Sequence, residues 1–261
     1  MPIMMGIRDL LSSLRMWRLW TLLGWLEIRQ RYARSKLGPF WLTVSMGVLV
    51  ATLGVVYGAL LGRELSEYLP MVAIGVVVWG LFSAIVSDGS SAYIQNANYI
   101  RQVRTPRLIY ILQIVWKSLV IFAHNSIIIL LVILFSGIEN IVLAFLSIPG
   151  FLLLILNATW MAAFTGLMSA RFRDFPQIVQ ALLQVAFYVT PILFDAKMLG
   201  KYDWIVRYNP LAYLVNIVRE PLMGIYPNTV SWIVPLVMAM VGWIIVFYLT
   251  GKFHKRIPYW V

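Results

Sequence analysis

The chain has no cysteine, so it can hold neither a disulfide framework nor a metal–thiolate site. Histidine is almost as scarce: His124 and His254 are the only two, and no metal site is expected. Charge is thin as well. Asp, Glu, Lys and Arg make up 12% of 261 residues, against about 25% in an average soluble domain. A chain that poor in charge presents most of its surface to something apolar. Catalytic signatures are missing too. There is no G-x-x-x-x-G-K-[ST] loop, no G-x-S-x-G elbow and no H-E-x-x-H pair, which excludes nucleotide hydrolysis by a P-loop and disfavours an enzyme. Carboxylate chemistry on a lipid-linked sugar stays open as one alternative.

In place of charge the chain has apolar length. Hydrophobic residues are 61% of it, gathered in several runs longer than the roughly 18 residues at which a membrane helix becomes the simplest reading. The expected spans are 40–61, 69–87, 108–135, 141–170, 176–194 and 230–250. The fourth should kink near Pro149-Gly150, and the fifth is barely long enough to cross. The third is expected to turn at Gly137-Ile138-Glu139-Asn140. Between the fifth and sixth, Leu211, Leu214, Val215 and Val218 recur at helical spacing after Asn209-Pro210. One or two short helices at the membrane surface are expected there, partly re-entrant. No cleavable signal peptide is expected after the first apolar stretch, 20–26.

Ahead of the first span, Ile7, Leu10, Leu11, Leu14 and Trp17 fall at helical spacing, with Arg8, Ser12, Arg15 and Arg18 off the stripe. That pattern predicts an amphipathic helix over 6–20 lying in the interface plane. A basic stretch follows, with Arg29, Arg31, Arg34 and Lys36 ahead of Gly38-Pro39. The division expected is a cytoplasmic interface segment, 1–36, and a six-helix membrane domain, 37–261.

The net charge is +11, but the cations flank apolar runs and form no single face. Anionic headgroups explain them better than nucleic acid does. Under the six-span topology fifteen of the 21 cations fall on one side, five on the other, and Lys117 inside the third span. Positive residues stay cytoplasmic, so both termini are expected there.

Ionisable groups inside apolar runs are functional candidates. Lys117 and Asp88 can pair between neighbouring helices and line a polar path; alternatively Lys117 snorkels and Asp88 caps a helix end. His124, near mid-span, is either a proton relay or a hydrogen-bonded structural histidine. These three would serve a self-contained proton-coupled transporter, a second alternative. Aromatics are 14% of the chain, with 11 Trp. Interfacial belting accounts for most of them, and stacking platforms for sugar rings are the sharper reading. The basic segment 98–107 is either an ordinary cytoplasmic loop or a short helix that docks into a partner.

Four stretches, in order, carry a resemblance. They are 27–41, Arg171-Phe172-Arg173-Asp174-Phe175, Phe187-Tyr188-Val189-Thr190-Pro191-Ile192, and Tyr208-Asn209-Pro210-Leu211 with its continuation Arg219-Glu220-Pro221-Leu222-Met223-Gly224. In register with six spans, they resemble the ABC-2-type polysaccharide-export permeases, which export O-antigen, capsule or teichoic acid chains. The resemblance implies an all-α homodimer in the bacterial inner membrane, bound to two copies of a separate ATPase that carries ATP and Mg; this chain itself holds no cofactor. It implies a coupling segment with Asn98, Tyr99, Arg101, Arg104 and Arg107. It also implies periplasmic gate helices between spans five and six, and channel aromatics for which Trp41, Tyr57, Phe187 and Tyr188 are candidates. Arg29, Arg31, Arg34 and Lys36 would meet either lipid headgroups or the phosphate of a lipid-linked glycan, with O-antigen the favoured cargo.

Overall fold

The computed structural model describes residues 2–32, 38, 40–137 and 140–261, with the side chains of Arg31, Tyr32 and Ile141 outside that description. Arg31, Arg34 and Lys36 of the basic stretch, and Ile138 and Glu139 of the expected turn, therefore lie outside the described side chains. Among the described residues the regular structure is entirely helical.

Where one amphipathic helix was expected, the chain makes two: α1 (Pro2–Arg15) and α2 (Trp17–Tyr32), broken at Met16. In α1 the buried residues are Gly6, Asp9 and Ser13. The apolar stripe Ile3, Met4, Ile7, Leu11 and Leu14 is exposed. The small, polar side of this helix therefore packs on protein, and its apolar side is exposed.

Five long helical stretches are apolar enough to cross a membrane: α3 (Phe40–Leu60), α4 (Leu65–Gln95), α6 (Ile109–Ser136), the pair α7 (Ile141–Ala144) and α8 (Ser147–Arg171), and α12 (Thr229–Phe253). The short α5 (Ala97–Gln102) links α4 to α6. A sixth apolar helix, α9 (Phe175–Val189), has 15 residues, about 22 Å at 1.5 Å per residue. The molecule is thus a multi-pass membrane protein. Between α9 and α12 the expected short helices are present: a 3-10 stretch Ala196–Tyr202, α10 (Trp204–Arg207) and α11 (Pro210–Leu222). Asn209 starts α11 by accepting the Leu211 N–H at 3.0 Å, and Pro210 sits where its missing N–H costs nothing. The chain closes with α13 (Ile257–Trp260).

Helix α4 is the hub. It packs against α8, α6, α3 and α9, and residues 72–79 are buried on every side. Its closest seam is with α8. Gly89 lies so near Ala162 that a Cβ would overlap it, and Gly166 in turn faces the Gly89 carbonyl. Lipid tails are as apolar as leucine, so helix association here relies on close packing of small residues. At the other side of the bundle α1 lies along α12; Gly6 meets the Phe247 backbone and Gly251 meets Pro2.

Two sequence expectations change. Helix α4 continues two turns past Asp88, so Asp88 does not cap its end. The break in the fourth span falls at Phe145–Leu146, ahead of Pro149-Gly150. Pro149 occupies the first turn of α8, where no intrahelical donor is lost, and Gly150 instead allows a close approach to the Ile217 backbone of α11.

Candidate functional site

Three features stand out from the bundle. The first is ionic. Lys117 of α6 reaches Asp88 of α4 at 2.9 Å and Glu27 of α2 at 3.0 Å. Its own side chain is 9% exposed, against 36% for Glu27 and 39% for Asp88. Gln113, one turn earlier on α6, donates to the other Glu27 oxygen at 2.5 Å. The lysine is pinned between two carboxylates and does not snorkel. Sequence reading paired Lys117 with Asp88 but missed Glu27. The signal was available, since Glu27 is the one acid at the head of a basic stretch. Asp88 also borders a cavity of about 390 Å³ between α3, α4 and α6, lined mostly by Met46, Leu49, Val77, Leu81 and Phe122, with Ser45, Ser118 and Asn125 as further polar members. His124 faces Phe40 and its Nδ1 is within 2.8 Å of the Val120 carbonyl on its own helix.

The second feature is aromatic. Tyr57, Phe187 and Tyr188 border one open cleft of about 330 Å³, with Trp79, Leu53, Val76 and Leu193. Phe187 lies edge-on to Tyr188 at 5.4 Å between ring centres and tilted to Trp79 at 6.0 Å. Three of the four aromatic candidates thus meet at one place. Trp41 is exposed and lies outside that cleft. Trp79 joins the group as a buried backing; α4 hides it within an apolar run where its spacing carries no separate signal.

The end of α9 below this cleft is held by side chains from three places. The Tyr68 hydroxyl donates to the Leu193 carbonyl at 2.5 Å, and Asn209 donates to the Thr190 hydroxyl at 3.0 Å. Arg219 of α11, 8% exposed, donates to the Pro191 carbonyl at 2.7 Å and to Asn216 at 2.8 Å. The motifs around Thr190-Pro191 and Arg219, quoted separately in the sequence, are therefore one structural joint.

The third feature is the basic end of the molecule. Asn98, Tyr99, Arg101 and Arg104 of α5 and its continuation are exposed. Arg101 donates through Nε to the Val261 carbonyl at 2.9 Å, so α5 rests on the α13 segment. Arg107 is buried. Its backbone N–H and that of Leu108 donate to the two Asp9 oxygens, both at 2.9 Å. Asp9 of α1 thereby caps α6 from a distant part of the chain, satisfying donors that a helix start leaves free. Burial pushes the Asp9 carboxyl up, while these two N–H groups, His254 and Arg107 pull it down, burial being the larger effect. Among the basic-stretch residues, Arg29 is exposed at the end of α2.

A permease-like arrangement of long apolar helices, a basic end and an aromatic cleft agrees with what sequence comparison finds. The profile of the ABC-2 type transporter matches residues 18–223. The chain belongs to the ABC-2 type transporter family. Similar ABC-2 proteins include an O-antigen export system permease protein RfbA from Klebsiella pneumoniae, 23% identical over 206 residues, covering 76% of this chain and 77% of the relative. Another of that name from the same organism is 22% identical over 222 residues, covering 83% and 86%. A third, from Myxococcus xanthus, is 23% identical over 205 residues, covering 73% and 74%. The ABC-2 match spans α2 to α11 and so takes in both the ionic triad and the aromatic cleft.

Proposed function

We propose that this chain is the membrane subunit of an ABC exporter that moves a lipid-linked polysaccharide of the O-antigen type outward across a bacterial inner membrane. Two copies form the path, and two copies of a separate ATPase, carrying ATP and Mg, drive it. The observation that carries the reading is the aromatic cleft on an ABC-2 scaffold. Sugar rings present C–H faces that stack on aromatic rings, and Tyr57, Phe187 and Tyr188 offer such faces at one level of the bundle.

Six crossings fit this role. The N-terminal α1 and the segment after α12 lie at one end of the molecule, joined by Gly251 against Pro2 and by His254 near Asp9 at 3.7 Å. An even number of crossings returns the chain to that end, so α9 serves as the sixth despite its length. We assign this basic end to the cytoplasm, with 1–36 as the interface segment and 37–261 as the permease domain. Helix α5, with Asn98, Tyr99, Arg101, Arg104 and Arg107, is the coupling element. The short helices between α9 and α12 are the periplasmic gate. Arg29, Arg31, Arg34 and Lys36 meet headgroups or the phosphate of the lipid carrier. The family match and the relatives named as export permeases do not favour a proton-coupled transporter.

The test is export in a strain lacking the chromosomal copy. Complementation with Y57A, F187A or Y188A should leave the protein in the membrane but strand the lipid-linked glycan inside, with loss of the surface polysaccharide. Normal surface polysaccharide in the strain without any copy would refute the assignment. Export that persists without the ATPase would move it to the proton-coupled class.

A further inference from the structure

We infer that α9 and α4 carry a ladder of uncharged hydrogen-bonding groups that selects an uncharged, hydroxyl-rich glycan. Its rungs are Gln177, Gln180 and Gln184 on α9, with Ser83 and Ser87 on α4. The inference rests on the export reading with α9 as a crossing helix, and it names the chemical class of the cargo.

Helix α9 is more strongly two-sided in polarity than the long apolar helices. Gln177, Gln180 and Gln184 are exposed, and so are Ile178, Leu182 and Val185. At 3.6 residues per turn the two sets lie roughly 130° apart around the axis. The apolar set suits lipid. An amide turned to hydrocarbon is left unsatisfied at a cost, so the glutamine face calls for water or a polar ligand.

That face borders open space. Gln180 lines a cleft of about 290 Å³ between α9 and α4, with Ser83, Ser87 and Asp88 on the α4 side. Ala84 and Asp88 are shared with the cavity between α3, α4 and α6. That cavity in turn shares Met46, Leu49 and Gly80 with the aromatic cleft. On α9 itself, Tyr188 of the aromatic cleft lies one turn beyond Gln184. The ladder and the aromatic cleft therefore adjoin along both helices.

Amides and hydroxyls both donate and accept hydrogen bonds, as sugar hydroxyls do. Successive glutamines are about 4.5 and 6 Å apart along the axis, close to the length of one sugar ring. Charge narrows the class. Among the described residues lining the aromatic cleft, the cavity and the α4–α9 cleft, Asp88 is the one charged group. Lys117 holds it and also holds Glu27. These walls offer no cation to a uronate or phosphate repeat, and Asp88 repels one. The rival occupant is a second copy of the chain. Close helix seams here are made by small residues, as at Gly89 and Ala162. Long glutamine side chains beside an open cleft do not make such a seam.

The experiment exploits the absence of native cysteine. Gln177→Cys, Gln180→Cys, Gln184→Cys and, on the lipid side, Leu182→Cys are expressed in cells that export polysaccharide, and in the same cells with glycan synthesis blocked. Without glycan, the three ladder thiols should react with a water-soluble reagent at least about tenfold faster than position 182, because the reactive thiolate needs water. A cationic reagent should outpace an anionic one of the same size by at least about threefold, drawn by Asp88 and Glu27. With glycan in transit the ladder thiols should react more slowly. The exported polysaccharide should carry neither uronic acid nor phosphate in its repeat, a measurement that needs no variant. Three independent positions guard against one that fails to fold. Ladder thiols as slow as position 182 would put this face in lipid or against a second copy and overturn the ladder. Labelling that glycan does not slow overturns the contact, and an anionic repeat overturns the charge class; both leave export standing. Normal surface polysaccharide in the strain without any copy removes the exporter reading itself.

Discussion

Lys117 shows how a single charge organises its surroundings. Removing it as K117A leaves Glu27 and Asp88 facing each other without a counter-ion. Breaking a fully buried pair costs about 3–5 kcal/mol. Here both carboxylates are more than a third exposed, and solvent screening reduces the expected loss to roughly 1–3 kcal/mol. Thermal unfolding in detergent should show it, and E27Q/D88N placed on top of K117A should recover most of it. Asp9 supplies a pH test. Its folded-state pKa is raised by burial, so the stability it contributes is complete below the unfolded carboxylate value. That contribution is lost as pH rises through the folded value. D9N should flatten this part of the profile, and D9A should also strip the cap from α6, at about 1 kcal/mol. The partners of Lys117 were half legible. A lysine in an apolar run demands an acid, and Asp88 was in reach on the neighbouring span. Glu27 was not found because it precedes the first span and lies outside every apolar run in which an ionisable group was sought. Arg219 escaped for a related reason. A buried arginine satisfied by a backbone carbonyl and an amide leaves no acid in the sequence to point at it.

Helices of this chain meet through small residues at places that periodicity does not mark. In α1 the apolar stripe is exposed, and the contact with protein is made by Gly6, Asp9 and Ser13 on another side. Gly6→Leu should push α1 off the Phe247 backbone. It should expose the α1–α12 seam to proteolysis in membranes while leaving insertion of the later helices intact; unchanged protease resistance would count against this contact. The expected kink at Pro149-Gly150 moved to Phe145–Leu146 because proline in a first turn costs no hydrogen bond, a distinction that needs the helix boundary to be known. Likewise the end of the second span was placed at Ser87 on polarity. Helix α4 runs on to Gln95, and Asp88 meets Lys117 from within it while staying partly exposed.

At the scale of the whole molecule, the five long apolar helices and the existence of short helices between α9 and α12 were legible from hydropathy and spacing. How α9 ends was not. Thr190, Pro191 and Leu193 are each held by a side chain from elsewhere, namely Asn209, Arg219 and Tyr68. R219M should loosen this joint, with faster hydrogen exchange in 190–193 and reduced export. The shortness of α9 also bears on the membrane itself. Its helical part spans about 22 Å, whereas a bilayer core is about 30 Å thick. With α9 as the proposed sixth crossing, lipid beside it would be drawn thin, at an elastic cost of a fraction of a kcal/mol for each ångström of mismatch. Under the proposed export function, a polar polymer passing next to α9 would face a shorter stretch of oil than elsewhere in the same bilayer.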